Sequence, residues 1–206
     1  MSTSCLRVAA FAFVLSAGFS AVAGPRFDLA IFENDDGVDV SGLDVWVEVD
    51  DLGGGQVLFT FGNDSVQGDV TSVYVENNDF LTGGVIQDNA SVEYSGPSTP
   101  PNPPGSINGI LKGAWAGNLF SADPDTPNPV ANSLNPGESF GVLFDLAGGA
   151  TFGDVLGGLS GDSGAFRVAA HIQRLGDSSV WGVTPTPGTI APLAIAGLAA
   201  ARRRRG

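Results

Sequence analysis

Apolar and polar residues alternate with period two along much of this chain. In Leu43-Asp-Val45-Trp-Val47-Glu-Val49-Asp the odd positions are aliphatic and the even ones mostly polar, the pattern of a half-buried strand. Val57-Leu-Phe59-Thr-Phe61 and Val73-Tyr-Val75-Glu repeat it. So do Phe140-Gly-Val142-Leu-Phe144-Asp-Leu146 and Phe166-Arg-Val168-Ala-Ala-His171-Ile172-Gln. Residues 27–32 and 179–183 read as edge strands. Turn signals separate these runs: Asp51-Leu-Gly-Gly-Gly55, Gly62-Asn-Asp64, Asn135-Pro-Gly137 and Gly176-Asp177. Asp50 and Asp51 read as ordinary turn residues. Residues 152–159 are glycine-rich and predict one turn of helix at most. Strands with polar alternate residues belong to antiparallel sheets with one wet face. The prediction is therefore an all-β chain, an antiparallel β-sandwich, with a jelly roll as one form of it. Residues 95–105 and 123–129 are too proline-rich for a ladder and read as extended surface excursions.

The amino terminus departs from this pattern. Arg7 precedes an apolar stretch, residues 8–19, and Ser20-Ala21-Val22-Ala23 follows. A positive start, an apolar middle, and Ala21 and Ala23 at the −3 and −1 positions predict a secretory signal peptide, cut by signal peptidase after Ala23. The single cysteine, Cys5, lies ahead of the apolar stretch and leaves with it. The mature chain then has no disulfide and depends on its core or on bound ions. The organisation is a signal peptide over 1–23, an acidic sandwich domain over 24–182 and a distinct tail over 183–206.

Charge narrows the function classes. All 22 acidic residues of the sequence fall between Asp28 and Asp177. Against the four bases of the body, Arg26, Lys112, Arg167 and Arg174, these 22 leave a formal charge of −18. Nucleic-acid binding requires clustered lysine and arginine, so that class is excluded. An acidic surface attracts divalent cations. Calcium takes carboxylate and carbonyl oxygens, and Glu33, Asp35, Asp36 and Asp39 gather such ligands around Gly37, as Asp123, Asp125 and Asn128 do later. Neither run has the EF-hand spacing. The plainer alternative, a solvated acidic turn, stays open for both. One histidine and no mature cysteine do not make a zinc site of the usual type.

Catalytic patterns are weaker. Gly161-Asp-Ser163-Gly164 resembles the nucleophile motif of chymotrypsin-like proteases, but His171 follows the serine instead of preceding it from far upstream. Acidic residues are too abundant to single out a glycosidase pair. Sugar binding is the softer possibility. Trp46 and Tyr74 fall on the polar faces of their strands, where a ring can stack on a sugar unless another layer covers it. Asn63-Asp-Ser65 and Asn89-Ala-Ser91 fit the glycosylation triplet, which occurs often by chance.

The tail runs Val183-Thr-Pro185-Thr186-Pro187-Gly188-Thr189, then twelve apolar or small residues over 190–201, then Arg202, Arg203, Arg204 and Arg205. As a short hydrophobic helix that segment reaches about 18 Å, against a hydrocarbon core of ~30 Å. The arginines hold its end on the cytoplasmic side. The arrangement resembles the PEP-CTERM sorting signal, with Thr186 where that family usually has glutamate; a Pro-Thr-Pro-Gly-Thr form is similar to a variant of planctomycete-like bacteria. The resemblance covers the tail alone. It implies recognition by exosortase, a membrane protease-transpeptidase, and delivery to the cell envelope or an exopolysaccharide matrix after transient anchoring in the inner membrane. A weak permanent anchor is the alternative. The expectation is thus an exported, non-enzymatic surface or matrix protein. Carbohydrate binding and calcium-bridged adhesion are the alternative roles of its sandwich.

Overall fold

The alternating runs form strands whose odd or even residues share one buried face. The computed structural model describes residues 24–34, 37–87, 91–98, 103, 115–127, 129–160 and 165–184. Its strands are β1 (Arg26–Asp28), β2 (Ala30–Asn34), β3 (Val45–Gly53), β4 (Gln56–Asn63), β5 (Asp69–Glu76) and β6 (Leu81–Gln87). They continue with β7 (Tyr94–Ser95), β8 (Asn118–Pro124), β9 (Glu138–Leu146), β10 (Val168–Leu175) and β11 (Ser178–Val183). A single-turn helix α1 (Pro129–Asn132) precedes β9, and α2 (Phe152–Ser160) follows it. The signal peptide and residues 185–206 of the tail, with its expected hydrophobic helix, lie outside the described residues, whereas Val183 ends β11 and Thr184 is buried beside it. Among the described residues no helix is long and apolar enough to cross a membrane.

Two antiparallel sheets face each other. One has the order β1-β3-β4-β9-β6, the other β2-β11-β10-β5-β8-β7. The fold is an all-β sandwich, as the alternation predicts. From β4 to β7, and again from β8 to β10, each connection crosses between sheets. The hairpins β3–β4 and β10–β11 stay within one sheet. The first of these turns on Gly54 and Gly55, both with positive φ (65° and 84°), the two-residue turn that matches strand twist.

The core is the interleaving of the two inner faces. Val47 and Val49 of β3 lie opposite Phe61 and Phe59 of β4, and with Val45 and Val57 on the same inner face all six are buried. From the other sheet come Val73 and Val75, Phe120 and Ala122, and Val168, Ala170 and Ile172. Phe120 meets Phe144 edge-on at 5.6 Å between centroids, joining the sheets. Val155 and Leu159 of α2 close one side, with Gly158 pressed against Phe166.

Several expectations need correction. Residues 27–32 form two strands, not one: the chain leaves the first sheet at buried Leu29 and edges the second as β2. Because β2 pairs outside it, β11 is an interior strand and not an edge. Helix α2 has nine residues, more than the single turn expected. A local cap explains this: the Thr151 hydroxyl accepts from the Asp154 N–H (3.2 Å), while the Asp154 carboxylate accepts from the Thr151 N–H (2.8 Å). The second proline-rich excursion starts inside β8 and ends in α1, and Ser95 belongs to β7. Strands β6, β7 and β8 are not visible in the alternation.

Candidate functional site

Outward-facing residues of the six-stranded sheet build a depression. In β10, Val168, Ala170 and Ile172 point inward, so Ala169, His171 and Gln173 point outward. Register sets His171 opposite Trp181 on one side and Ser72 on the other, and sets Ala169 opposite Tyr74. The His171 ring stacks on the Trp181 indole, 4.5 Å between centroids and 19° from parallel. Tyr74 lies 5.4 Å from the same indole. These rings floor a cavity of about 450 Å³, within the range of small-ligand sites.

The rim is polar. Thr71, Ser72 and Gln173 contribute hydroxyl and amide groups, Asp123 a carboxylate, and Pro129 and Val130 of α1 an apolar wall. At one end Arg174 Nη1 donates to Asp69 Oδ2 at 2.5 Å, from an exposed guanidinium to a buried carboxylate. Arg174 has a φ of 62°, a left-handed conformation that costs a non-glycine residue roughly 1–2 kcal/mol. It sits in a bulge between Ile172 and Leu175. Behind the aromatic cluster, the Arg167 guanidinium stacks over the Trp115 ring at 5.2 Å. The same guanidinium donates to buried Glu76 through Nε (2.7 Å) and Nη2.

The two rings proposed from sequence as sugar platforms behave differently. Tyr74 lies on the outer face but is only 1% exposed, packed with Ala169, Trp181 and Val183. Burial pushes its phenol up to about 12, with a hydrogen bond from Ser72 opposing that rise and the charge of Asp123 adding to it. Trp46 is on the opposite sheet, remote in register from Tyr74. Its indole lies flat on Gly62, where a Cβ would come within 2.1 Å of the ring. The Arg26 guanidinium stands over that ring at 4.8 Å, and Asp64 Oδ2 accepts from both Trp46 Nε1 and Arg26 Nη1 at 2.9 Å. Trp46 is thus engaged in an internal cluster with Arg26, which also reaches Asp28 and Asp44. The structure does not unite Trp46 and Tyr74 in one site.

The acidic turn is described in part. Glu33 stands on β2 opposite Trp181 in register, and Asp35 and Asp36 lie outside the described residues. The exposed Asp39 carboxylate accepts from the Ser41 N–H at 2.9 Å, and this bond holds it below the usual carboxylate range. Among the described residues no group of three or more histidine, cysteine, aspartate or glutamate side chains is placed to hold a metal ion. Asp125 accepts from the Ser95 hydroxyl, Asp123 lines the depression, and Asn128 is outside the described residues. Residues 161–164 are outside too, whereas His171 belongs to the aromatic stack. Asn63 is fully buried, its amide donating to the Gly68 and Leu134 carbonyls at 2.9 Å, so it does not accept a glycan in this fold.

Sequence reasoning found Tyr74 and missed Trp181 and His171 as its neighbours. Alternation along β10 does place His171 on the outer face; the partner across the hairpin depends on the bulge. No known family model, curated protein or solved structure matches this chain.

Proposed function

We propose that this chain is an exported, non-enzymatic surface or extracellular-matrix protein whose sandwich holds polysaccharide on the outer face of its six-stranded sheet. The observation that supports binding there is the register that stacks His171 on the mostly buried Trp181 indole, with buried Tyr74 backing it, at a cavity of about 450 Å³ bordered by hydroxyl, amide and carboxylate groups. A sugar ring has apolar C–H faces and hydroxyl edges. Aromatic rings bury the former, while hydroxyl, amide and carboxylate groups exchange hydrogen bonds with the latter. The strongly negative body repels uronate or sulfate chains, which favours a neutral polysaccharide as ligand.

Export and sorting rest on the termini. Ala21 and Ala23 give signal peptidase its site. Pro185 to Thr189, the apolar segment and the four arginines give an exosortase-type enzyme its substrate, with the precursor held in the inner membrane until it is processed.

Tryptophan fluorescence titrated with neutral polysaccharides tests the binding reading. Trp181→Ala is expected to weaken binding at least ~10-fold, equivalent to about 1.4 kcal/mol, and Trp46→Ala to leave it unchanged. Equal affinity in Trp181→Ala would contradict the site. Mass spectrometry of the C-terminal peptide from the native host tests sorting. A chain ending within residues 185–189 is expected, and an intact arginine tail in the membrane fraction would contradict it.

A further inference from the structure

The expected mature amino terminus is already seated in the fold. The Gly24 nitrogen lies 2.6 Å from Asp50 Oδ1. Position 24 accepts only glycine, because a Cβ there would stand 1.6 Å from the Val49 carbonyl oxygen. The Pro25 carbonyl accepts from the Val49 N–H at 3.3 Å, and β1 begins at the next residue with Arg26 opposite Glu48. Asp50, which the sequence suggests is a turn residue, is instead an outward position of β3 that meets the incoming chain.

We infer that Asp50 is the binding site for the α-ammonium group created when the leader is removed, so that processing itself completes the edge of the five-stranded sheet. This rests on cleavage after Ala23. Hydrolysis of the Ala23–Gly24 bond by signal peptidase consumes one water. The Ala23 carbonyl carbon takes the hydroxyl and departs with the leader as a carboxylate, and the Gly24 nitrogen gains protons to become an ammonium at neutral pH. A neutral amide donor facing Asp50 is thereby replaced by a cation with three donors, and the contact becomes a charge-assisted one.

Two other charged groups share this corner. Glu48 lies two positions before Asp50 on the same face, and Arg26 stands opposite Glu48 with its guanidinium directed to Asp28, Asp44 and Asp64. Glu48 therefore reinforces the attraction for the ammonium. A free α-amino group titrates at about 7.7–8.0, and a carboxylate partner raises that value in the folded chain. The added stability is fully present below the pH at which the unfolded chain titrates, and it is lost as pH rises through the raised folded value.

The experiment expresses the full precursor with its own leader and recovers the exported protein. N-terminal sequencing is expected to begin at Gly24. NMR titration of the Gly24 α-carbon should then give a midpoint about one unit or more above ~8, returning to about 8 in Asp50→Asn. The unfolding temperature should fall between pH 7 and pH 10 more steeply in the parent than in Asp50→Asn. Gly24→Ala, which withdraws the terminus from Val49, should lose the shifted titration as well. A protein that starts at Gly24 but titrates near 8 with and without Asp50 overturns the inference and leaves the leader reading intact. A protein that starts elsewhere overturns both.

Discussion

Glu76 shows how one residue can hold the wall beside a site. Its carboxylate accepts from Arg167 and, at 2.7 Å, from the Ala116 N–H, which anchors the segment carrying Trp115. Both partners of the ion pair are buried. Removing one charge leaves the other without compensation, at a cost of about 3–5 kcal/mol. Glu76→Gln is therefore expected to lower unfolding stability by that amount in urea titration, and a change under 1 kcal/mol would contradict the buried pairing. Gly62 makes a smaller contribution of the same kind. Gly62→Ala drives a methyl group into the Trp46 indole and should cost about 1–3 kcal/mol. It should also alter Trp46 fluorescence as the ring leaves Arg26 and Asp64.

At the scale of elements, bulges decide what alternation alone can reveal. The turn at Gly176 and Asp177 sets Leu175 opposite Ser178. Carried back without interruption, that register puts Trp181 opposite Ile172, on the core side. The extra residue at the Arg174 bulge shifts the ladder so that Trp181 meets His171 on the outer face instead. The aromatic stack was therefore not legible, although His171 and Tyr74 individually were on the correct face. Strand β6 was lost for a similar reason: Gly83 and Gly84 have positive φ, and the register shifts between Thr82 and Val85. The strands β3, β4 and β9 were legible because their buried runs are unbroken; the one register shift in β3 falls at Asp51–Gly53, past Val49. Comparing Arg174→Gly with Arg174→Val isolates the bulge. Both lose the Asp69 pair, but only valine must hold a β-branched side chain at positive φ. The valine variant should be the less stable by about 1–2 kcal/mol in thermal or urea unfolding, and equal stabilities would contradict a left-handed residue there.

For the molecule as a whole, the sandwich sets aromatic cohesion against like-charge repulsion. Phe59 is fully buried and meets Phe144 edge-on at 5.1 Å. Phe59→Ala is expected to cost about 3–5 kcal/mol. The negative body should melt higher as sodium chloride rises from about 10 to 150 mM, because screening weakens its self-repulsion; a falling midpoint would contradict that balance. The two faces of the sandwich differ in what they offer. The outer five-stranded face engages its tryptophan with Arg26 and Gly62, whereas the outer six-stranded face sets Trp181, Tyr74 and His171 at a concavity, with Trp115 packed against the same cluster. The most direct test of the account is an NMR chemical-shift map of the exported protein titrated with a neutral matrix polysaccharide. Perturbations concentrated at Thr71, Ser72, His171, Gln173 and Trp181 are predicted. Perturbations centred on Leu58 and Leu143 of the other sheet, or none at saturating sugar, would contradict it.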